Sequence, residues 1–236
     1  PGVATADLST GLYATISVLI ALRHAERTGE GQYIDCSLLD TQISMLANQA
    51  LSYLVGGVSP TRMGNAHPTV VPYRVFDAAD GSIVVAVGND AQFRTLCELL
   101  DMPELASDPR YVTNSQRVIH RDSLEPVLQE AIGRRRVTEL IDRLCARGVP
   151  AGPVNTIGQI FSDPFIEARG VVHRFRRPDG VEVPSVAFPG KFSRTPASFD
   201  RPPPHLGEHT AEVLTDWLGL DASQQERLHR TGAIAL

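Results

Sequence analysis

The sequence predicts an α/β chain: a helix–strand–helix segment, then a smaller α+β block, then a less regular return segment. Three observations predict it. Apolar residues recur at helical spacing from Leu12 to Leu22, and the pattern stops at Gly29. Two β-type runs, Val70 to Phe76 and Ser82 to Val87, flank a turn that ends in Asp80-Gly81. Between these regions, Gly56 to Pro72 is rich in glycine and proline and reads as a linker with a loop of functional interest inside it. The expected divisions are 1–55, 56–155 and 156–236.

Each element has a local reason. Residues 8 to 27 form a helix closed by Thr28-Gly29. Its apolar positions Leu12, Ile16, Val18, Leu19, Ile20 and Leu22 cover most of its girth, so it is expected to be buried. Gln32 to Cys36 is a short strand. Ser37-Leu38-Leu39-Asp40 is a capping box opening a second helix that runs to about Leu54. After the hairpin, Asn89 or Asp90 caps a helix to about Leu100. Helices follow near 114–132, broken before Pro126, and near 137–147, stopped by Gly148. Val149 to Asn155 is a short strand interrupted by proline. Beyond Thr156 come a helical stretch centred on Asp163-Pro164, two strands around Pro178-Asp179-Gly180, a proline-rich tether and an amphipathic helix from Glu208 to Leu218. A short helix closes the chain.

Composition excludes several classes. A net charge of −5 gives no basic face for nucleic acid. The dense basic run Arg134-Arg135-Arg136 reads as a solvated helix end, with a phosphate contact as the sharper alternative. Cys36, Cys97 and Cys145 are far apart, which fits reduced core thiols in a cytoplasmic protein and offers no metal spacing. The apolar run Leu12 to Leu22 is too short to span a bilayer and ends in Arg23-His24-Ala25-Glu26-Arg27, so no membrane role is expected.

Asp7 is the residue of greatest chemical interest. It stands at the start of the first helix, where unpaired N–H groups and the positive dipole end suit a negative charge, as a carboxylate nucleophile requires. The competing reading is an ordinary N-cap, with Ser9 or Thr10 as other candidates, and spacing alone favours the cap. The Gly64-Asn65-Ala66-His67-Pro68 loop is either a connector or a place where backbone amides approach an anionic intermediate. His67 and His209 read as loop or surface histidines. Walker, GxSxG and HExxH motifs are absent, and Gly29-x-Gly31 lacks the third glycine of a dinucleotide fingerprint.

A set of short motifs, in order and spacing, resembles the C-terminal portion of the class III CoA-transferases, the CaiB/BaiF family that includes formyl-CoA transferase. These are Asp7-x3-Gly11, Arg27-Thr28-Gly29-Glu30-Gly31-Gln32, Asp35-x-Ser37-Leu38-Leu39-Asp40, Gly64-Asn65-x-His67-Pro68, Pro72-Tyr73, Asp80-Gly81, Gly148-Val149-Pro150-x-Gly152-Pro153-Val154 and Leu206-Gly207-Glu208-His209-Thr210. The resemblance implies that 1–55 belongs to a Rossmann-like large domain, that 56–155 holds the linker and small domain, and that 156–236 returns to the large domain. It implies interlocked homodimers. It also implies that Asp7 is the nucleophile in CoA transfer between an acyl-CoA and a carboxylic acid, through aspartyl anhydride and aspartyl-CoA intermediates. Leu38 matches an apolar lining position of the CoA site, and Gly64 and Asn65 match the loop that covers the intermediate, although the family's run of consecutive glycines is absent here. Coenzyme A enters as substrate; no permanently bound cofactor or metal is implied.

The family's N-terminal half, which supplies most contacts to the CoA nucleotide, is not in this sequence. The polypeptide as written is therefore expected to be inactive, and to associate with itself or with that half. Two alternatives stand beside the transferase. One is an α-methylacyl-CoA racemase of the same fold, disfavoured by Gly88-Asn89-Asp90-Ala91-Gln92-Phe93 and by the Gly64-Asn65 loop. The other is a non-catalytic assembly fragment.

Overall fold

The computed structural model describes residues 2–234, and the chain divides at Gly152–Pro153 into two units. The first begins with helix α1 (Thr5–Thr28), closed by Gly29 at φ 77°, whose N–H donates to Ala25 O at 2.8 Å. Only a residue without Cβ accepts that left-handed conformation cheaply, so the predicted stop holds. α1 starts three residues earlier than the apolar pattern suggests. Its expected burial is not found: no residue of α1 is buried among the described residues. An apolar girth is covered only if a partner surface is supplied, and this unit supplies little beyond the short helix that follows Ser37. By length and composition α1 could also cross a membrane, with a hydropathy of 1.4 over 18 residues, so the short run from Leu12 to Leu22 understated it. A core helix meets the same test.

The strand expected at Gln32 to Cys36 does not form: these residues have no regular secondary structure and pair with none of the described strands. The single helix expected from Ser37 to Leu54 is two: α2 (Leu38–Ser44) and α3 (Asn48–Gly56). They are separated by Ala47 at φ 47°, a conformation no propensity rule anticipates at alanine. Half of the expected capping box forms: the Ser37 hydroxyl accepts from the Asp40 N–H at 3.3 Å.

After the linker, β1 (Tyr73–Ala78) and β2 (Gly81–Ala86) make the predicted antiparallel hairpin, with Ala78 opposite Gly81 across the turn. β3 (Ala151–Pro153) completes a three-stranded sheet beside β2. Four helices pack around this sheet: α4 (Asp90–Leu99), α5 (Asn114–Ile119), α6 (Arg121–Gly133) and α7 (Val137–Ala146). Asn89 caps α4 through the Gln92 N–H at 2.9 Å, and Gly148 at φ 74° follows α7, both as expected. The break between α5 and α6 falls at His120, and Pro126 lies inside α6. His120 ends α5 through Gln116 O and starts α6 by accepting from both Ser123 and Leu124. The proline forfeits one intrahelical bond near the helix start, where packing outweighs the loss.

The buried apolar core lies wholly within residues 71–149. Ile83 and Val85 enter it at strand period from β2, with Val87 just beyond the strand, and Leu124, Leu128 and Ile132 enter at helix period from α6. Phe76, Phe93, Leu96, Leu140 and Leu144 fill it from the other elements. The Arg117 side chain is fully buried with them. Arg117 donates to Val71 O (2.7 Å), Tyr111 O (2.9 Å) and Asp90 Oδ1 (2.8 Å), and its guanidinium lies 4.4 Å from the Phe93 ring centroid. Each of the three guanidinium nitrogens thus donates a hydrogen bond, as burial of a cation requires.

The second unit holds short helices α8 (Ile157–Phe161) and α9 (Pro164–Ala168) in place of one helical stretch. Asp163 divides them by accepting from the Phe165 N–H at 2.8 Å, with Pro164 at the first helical position. Hairpin β4 (Val172–Arg176) and β5 (Glu182–Val186) forms around Pro178-Asp179-Gly180 as expected. α10 (Thr210–Leu218) and α11 (Ala222–Arg230) are tied by the buried Gln225 amide, which donates to Thr215 Oγ1 (2.8 Å) and Leu220 O (2.9 Å).

Candidate functional site

Asp7 is the third residue of α1, not the residue before it. The N-cap position belongs to Ala4, which makes no side-chain cap bond. The N-cap reading of Asp7 is therefore corrected, and so is that of Ser9 and Thr10: the Thr10 hydroxyl instead donates back to Ala6 O at 2.7 Å. Asp7 is exposed, and among the described residues its carboxylate enters no hydrogen bond or ion pair. A carboxylate in the first turn still faces the positive end of a 24-residue helix.

The α1–α2 pair sets Leu38 near the same end. Cys36 Sγ approaches Thr10 O at 3.8 Å, one turn beyond Asp7 and two residues before Leu38. Farther along, the Ser44 hydroxyl donates to Tyr13 Oη at 3.2 Å. Leu38 is the first residue of α2 and leaves half its surface exposed.

The Gly64–Pro68 loop is held elsewhere. Gly64 has φ 62°, and the Asn65 side-chain oxygen accepts from the Val75 N–H at 2.9 Å. His67 N–H donates to Tyr73 O at 2.8 Å, and the His67 ring stacks on Tyr73 at 5.3 Å. Arg121 Nη2 donates to His67 O (2.9 Å) and Pro68 O (2.8 Å). The loop is thus fastened to β1 and α6, and no described hydrogen bond joins Gly64 or Asn65 to Asp7 or Leu38.

Sequence reading missed the charges behind this fastening. Glu125 is buried, pairs with Arg74 of β1, and lies 3.9 Å from Arg121. Arg121 Nη1 and Glu125 Oε1 are buried without a hydrogen-bond partner. Spacing of four residues could flag Arg121 and Glu125 as a helix pair, but nothing local says that β1 covers them. The cleft of about 420 Å³ lined by Arg74, Phe76, Asp122, Glu125, Pro126 and Gln129 contains none of Asp7, Leu38, Gly64 and Asn65.

Other candidates resolve structurally. Arg134 pairs with Glu130; Arg135 pairs with Asp101 (2.6 Å) and donates to Leu100 O (3.0 Å); Arg136 pairs with Asp80 (3.0 Å). Arg135 is largely covered, so the run is not simply a solvated helix end. Asp80, in the hairpin turn, accepts from the Val137 N–H at 2.8 Å and so caps α7 from outside; that bond and Arg136 hold its carboxyl below the ordinary carboxylate range. Cys97 is buried, and desolvation pushes its thiol up to about 12. Cys145 is exposed and is not the core thiol expected.

Residues 1–210 match the model of CoA-transferase family III. The chain belongs to this family. It is 44% identical over 215 residues to a succinate–glutarate CoA-transferase of Agrobacterium fabrum, covering 91% of this chain and 54% of that protein. It is 38% identical over 224 residues to the human succinyl-CoA:glutarate CoA-transferase, covering 94% of this chain and 50% of that one. A crystal structure of a CaiB/BaiF family protein from Brucella suis superposes with a TM-score of 0.74 at 44% identity, over 92% of this chain and 56% of that chain. The mixed helix and sheet architecture is thus that of the CaiB/BaiF proteins, and the chain spans about half the length of the relatives it matches.

Proposed function

We propose that the protein carrying this chain transfers coenzyme A from an acyl-CoA thioester to a carboxylic acid, with Asp7 as nucleophile. One observation carries the assignment: Asp7 is an exposed carboxylate in the first turn of a long helix and is not spent as a cap. Its oxygen attacks the thioester carbonyl; the C–S bond breaks, CoA leaves as thiolate, and a mixed anhydride forms. The thiolate then attacks the Asp7 carbonyl carbon and expels the donor acid. The acceptor carboxylate attacks the resulting aspartyl thioester and returns the thiolate, which takes the new acyl group and frees the Asp7 carboxylate. Only an acyl–oxygen anhydride reopens readily to either thiolate or carboxylate, hence a carboxylate and not a hydroxyl.

The substrates we propose are a dicarboxylyl-CoA and a dicarboxylic acid of about that length, in keeping with the relatives named for succinyl-CoA with glutarate or mesaconate. Those names also support transfer over racemisation. We further propose that Leu38 lines the CoA site, that the Gly64–Asn65 loop covers the intermediate, and that the working protein is an interlocked homodimer in the cytoplasm. The 236-residue chain alone is inactive in this reading, because the CoA nucleotide lacks most of its contacts. The test is Asp7→Asn in a form spanning the length of the relatives. Transfer is expected to vanish with the fold retained; normal turnover by the variant refutes the nucleophile assignment.

A further inference from the structure

We infer that Arg121 is a positioning residue for the Gly64–Pro68 loop, and that Glu125 sets its orientation; the functional part of this inference rests on the loop's proposed role over the intermediate. The clamp has a specific geometry. One guanidinium nitrogen of Arg121 bonds two consecutive carbonyls, His67 O at 2.9 Å and Pro68 O at 2.8 Å. Its other terminal nitrogen faces Glu125 Oε1 at 3.9 Å, and both atoms are buried. Glu125 is held in turn by Arg74 of β1, the strand whose Val75 N–H takes Asn65 and whose Tyr73 carries the His67 ring.

Three independent fastenings therefore converge on five residues that have no regular secondary structure. A mere connector needs none of them: Gly56 to Met63, the stretch just before, has no such bond from α6 or β1 and is exposed throughout. Buried charges are costly unless paired and hydrogen-bonded, and Arg121 meets that cost through the two loop carbonyls and the neighbouring Glu125 carboxylate. Here they fix the backbone on either side of the His67–Pro68 bond, and with it the direction in which Gly64 and Asn65 project. A loop held in this way keeps water from an activated acyl group; a loop released admits it.

The experiment uses the transfer-competent protein with Arg121→Met, Arg121→Lys and Glu125→Gln. Two quantities are read with succinyl-CoA as probe: the ratio of acyl-CoA hydrolysis to transfer at saturating acceptor, and amide hydrogen exchange in the peptide covering 64–68. Arg121→Met is expected to speed that exchange about tenfold or more and to raise the hydrolysis ratio. Arg121→Lys, which can still donate to both carbonyls, recovers much of each. Glu125→Gln moves both in the same direction by less, and it serves as the test if Arg121→Met fails to fold. Unchanged exchange overturns the clamp. Faster exchange with an unchanged hydrolysis ratio overturns its link to the reaction. The exchange readout needs no nucleophile, so failure of the clamp is distinguishable from failure of the Asp7 assignment.

Discussion

Residues 71–149 and residues 5–56 have similar apolar sequence and opposite fates. The first region buries every member of the core; the second buries no apolar residue at all. Leu96 of α4 is 0% exposed, whereas Leu19 of α1 is 62% exposed. Both sit in well-terminated helices. The difference teaches that periodicity specifies which face wants cover, while the cover itself is a tertiary fact. The hairpin, α4, α6 and α7 supply one another's. α1 and α2 contact each other, but none of α1 to α3 buries an apolar side chain, so their outer faces add little folding energy in this chain.

The sharpest way to break this contrast is a matched pair of truncations in the 236-residue chain. Leu96→Ala should cost about 2–5 kcal/mol in urea unfolding, and Leu19→Ala within about 0.5 kcal/mol. Equal costs would mean that α1 is covered after all. Arg117→Met should come next, at about 3 kcal/mol, because it leaves the Val71 and Tyr111 carbonyls without their buried donor and Asp90 without its cation. A neutral outcome would show that methionine packing on Phe93 replaces the whole network. Thiol labelling sharpens the same comparison at smaller scale. At neutral pH iodoacetamide should modify Cys145 in the native chain and spare Cys97, whose thiol is buried and pushed up to about 12.

The smallest expected effect concerns Asp80. Its folded-state carboxyl is held below the ordinary value by the Val137 N–H and by Arg136. A depressed carboxylate contributes stability above its unfolded value, near pH 4, and loses it as pH falls through the folded value. Asp80→Asn should therefore lower stability slightly at neutral pH and flatten the decline below about pH 4. An unaltered acid limb would mean that the bond to Val137 does not persist in solution.

Much of the fold was legible because its signals are local. Gly29 and Gly148 stop helices through a conformation that glycine alone tolerates well, and Ser37 and Asn89 cap through their own side chains. The hairpin was legible because its alternation and its turn lie within a few residues. Three features were not. The break at Ala47 needs a positive φ at a residue that gives no warning. The break at His120 replaced the one expected at Pro126, because helix packing decides which flaw is tolerated. The short β-type run Gln32 to Cys36 forms no strand, since a strand needs a hydrogen-bonded neighbour that local sequence does not specify. Of the candidate site, spacing alone favoured a cap at Asp7, and the Arg121–Glu125–Arg74 cluster was invisible, since burial by β1 is not written in α6.

The central claim is that Asp7 becomes acylated during CoA transfer. It is tested most directly by mixing the transfer-competent protein with succinyl-CoA and hydroxylamine, then mapping modified peptides by mass spectrometry. The account predicts a single hydroxamate, on the peptide that holds Asp7, formed only when acyl-CoA is present. A hydroxamate at another carboxylate, or none while transfer proceeds, would contradict it.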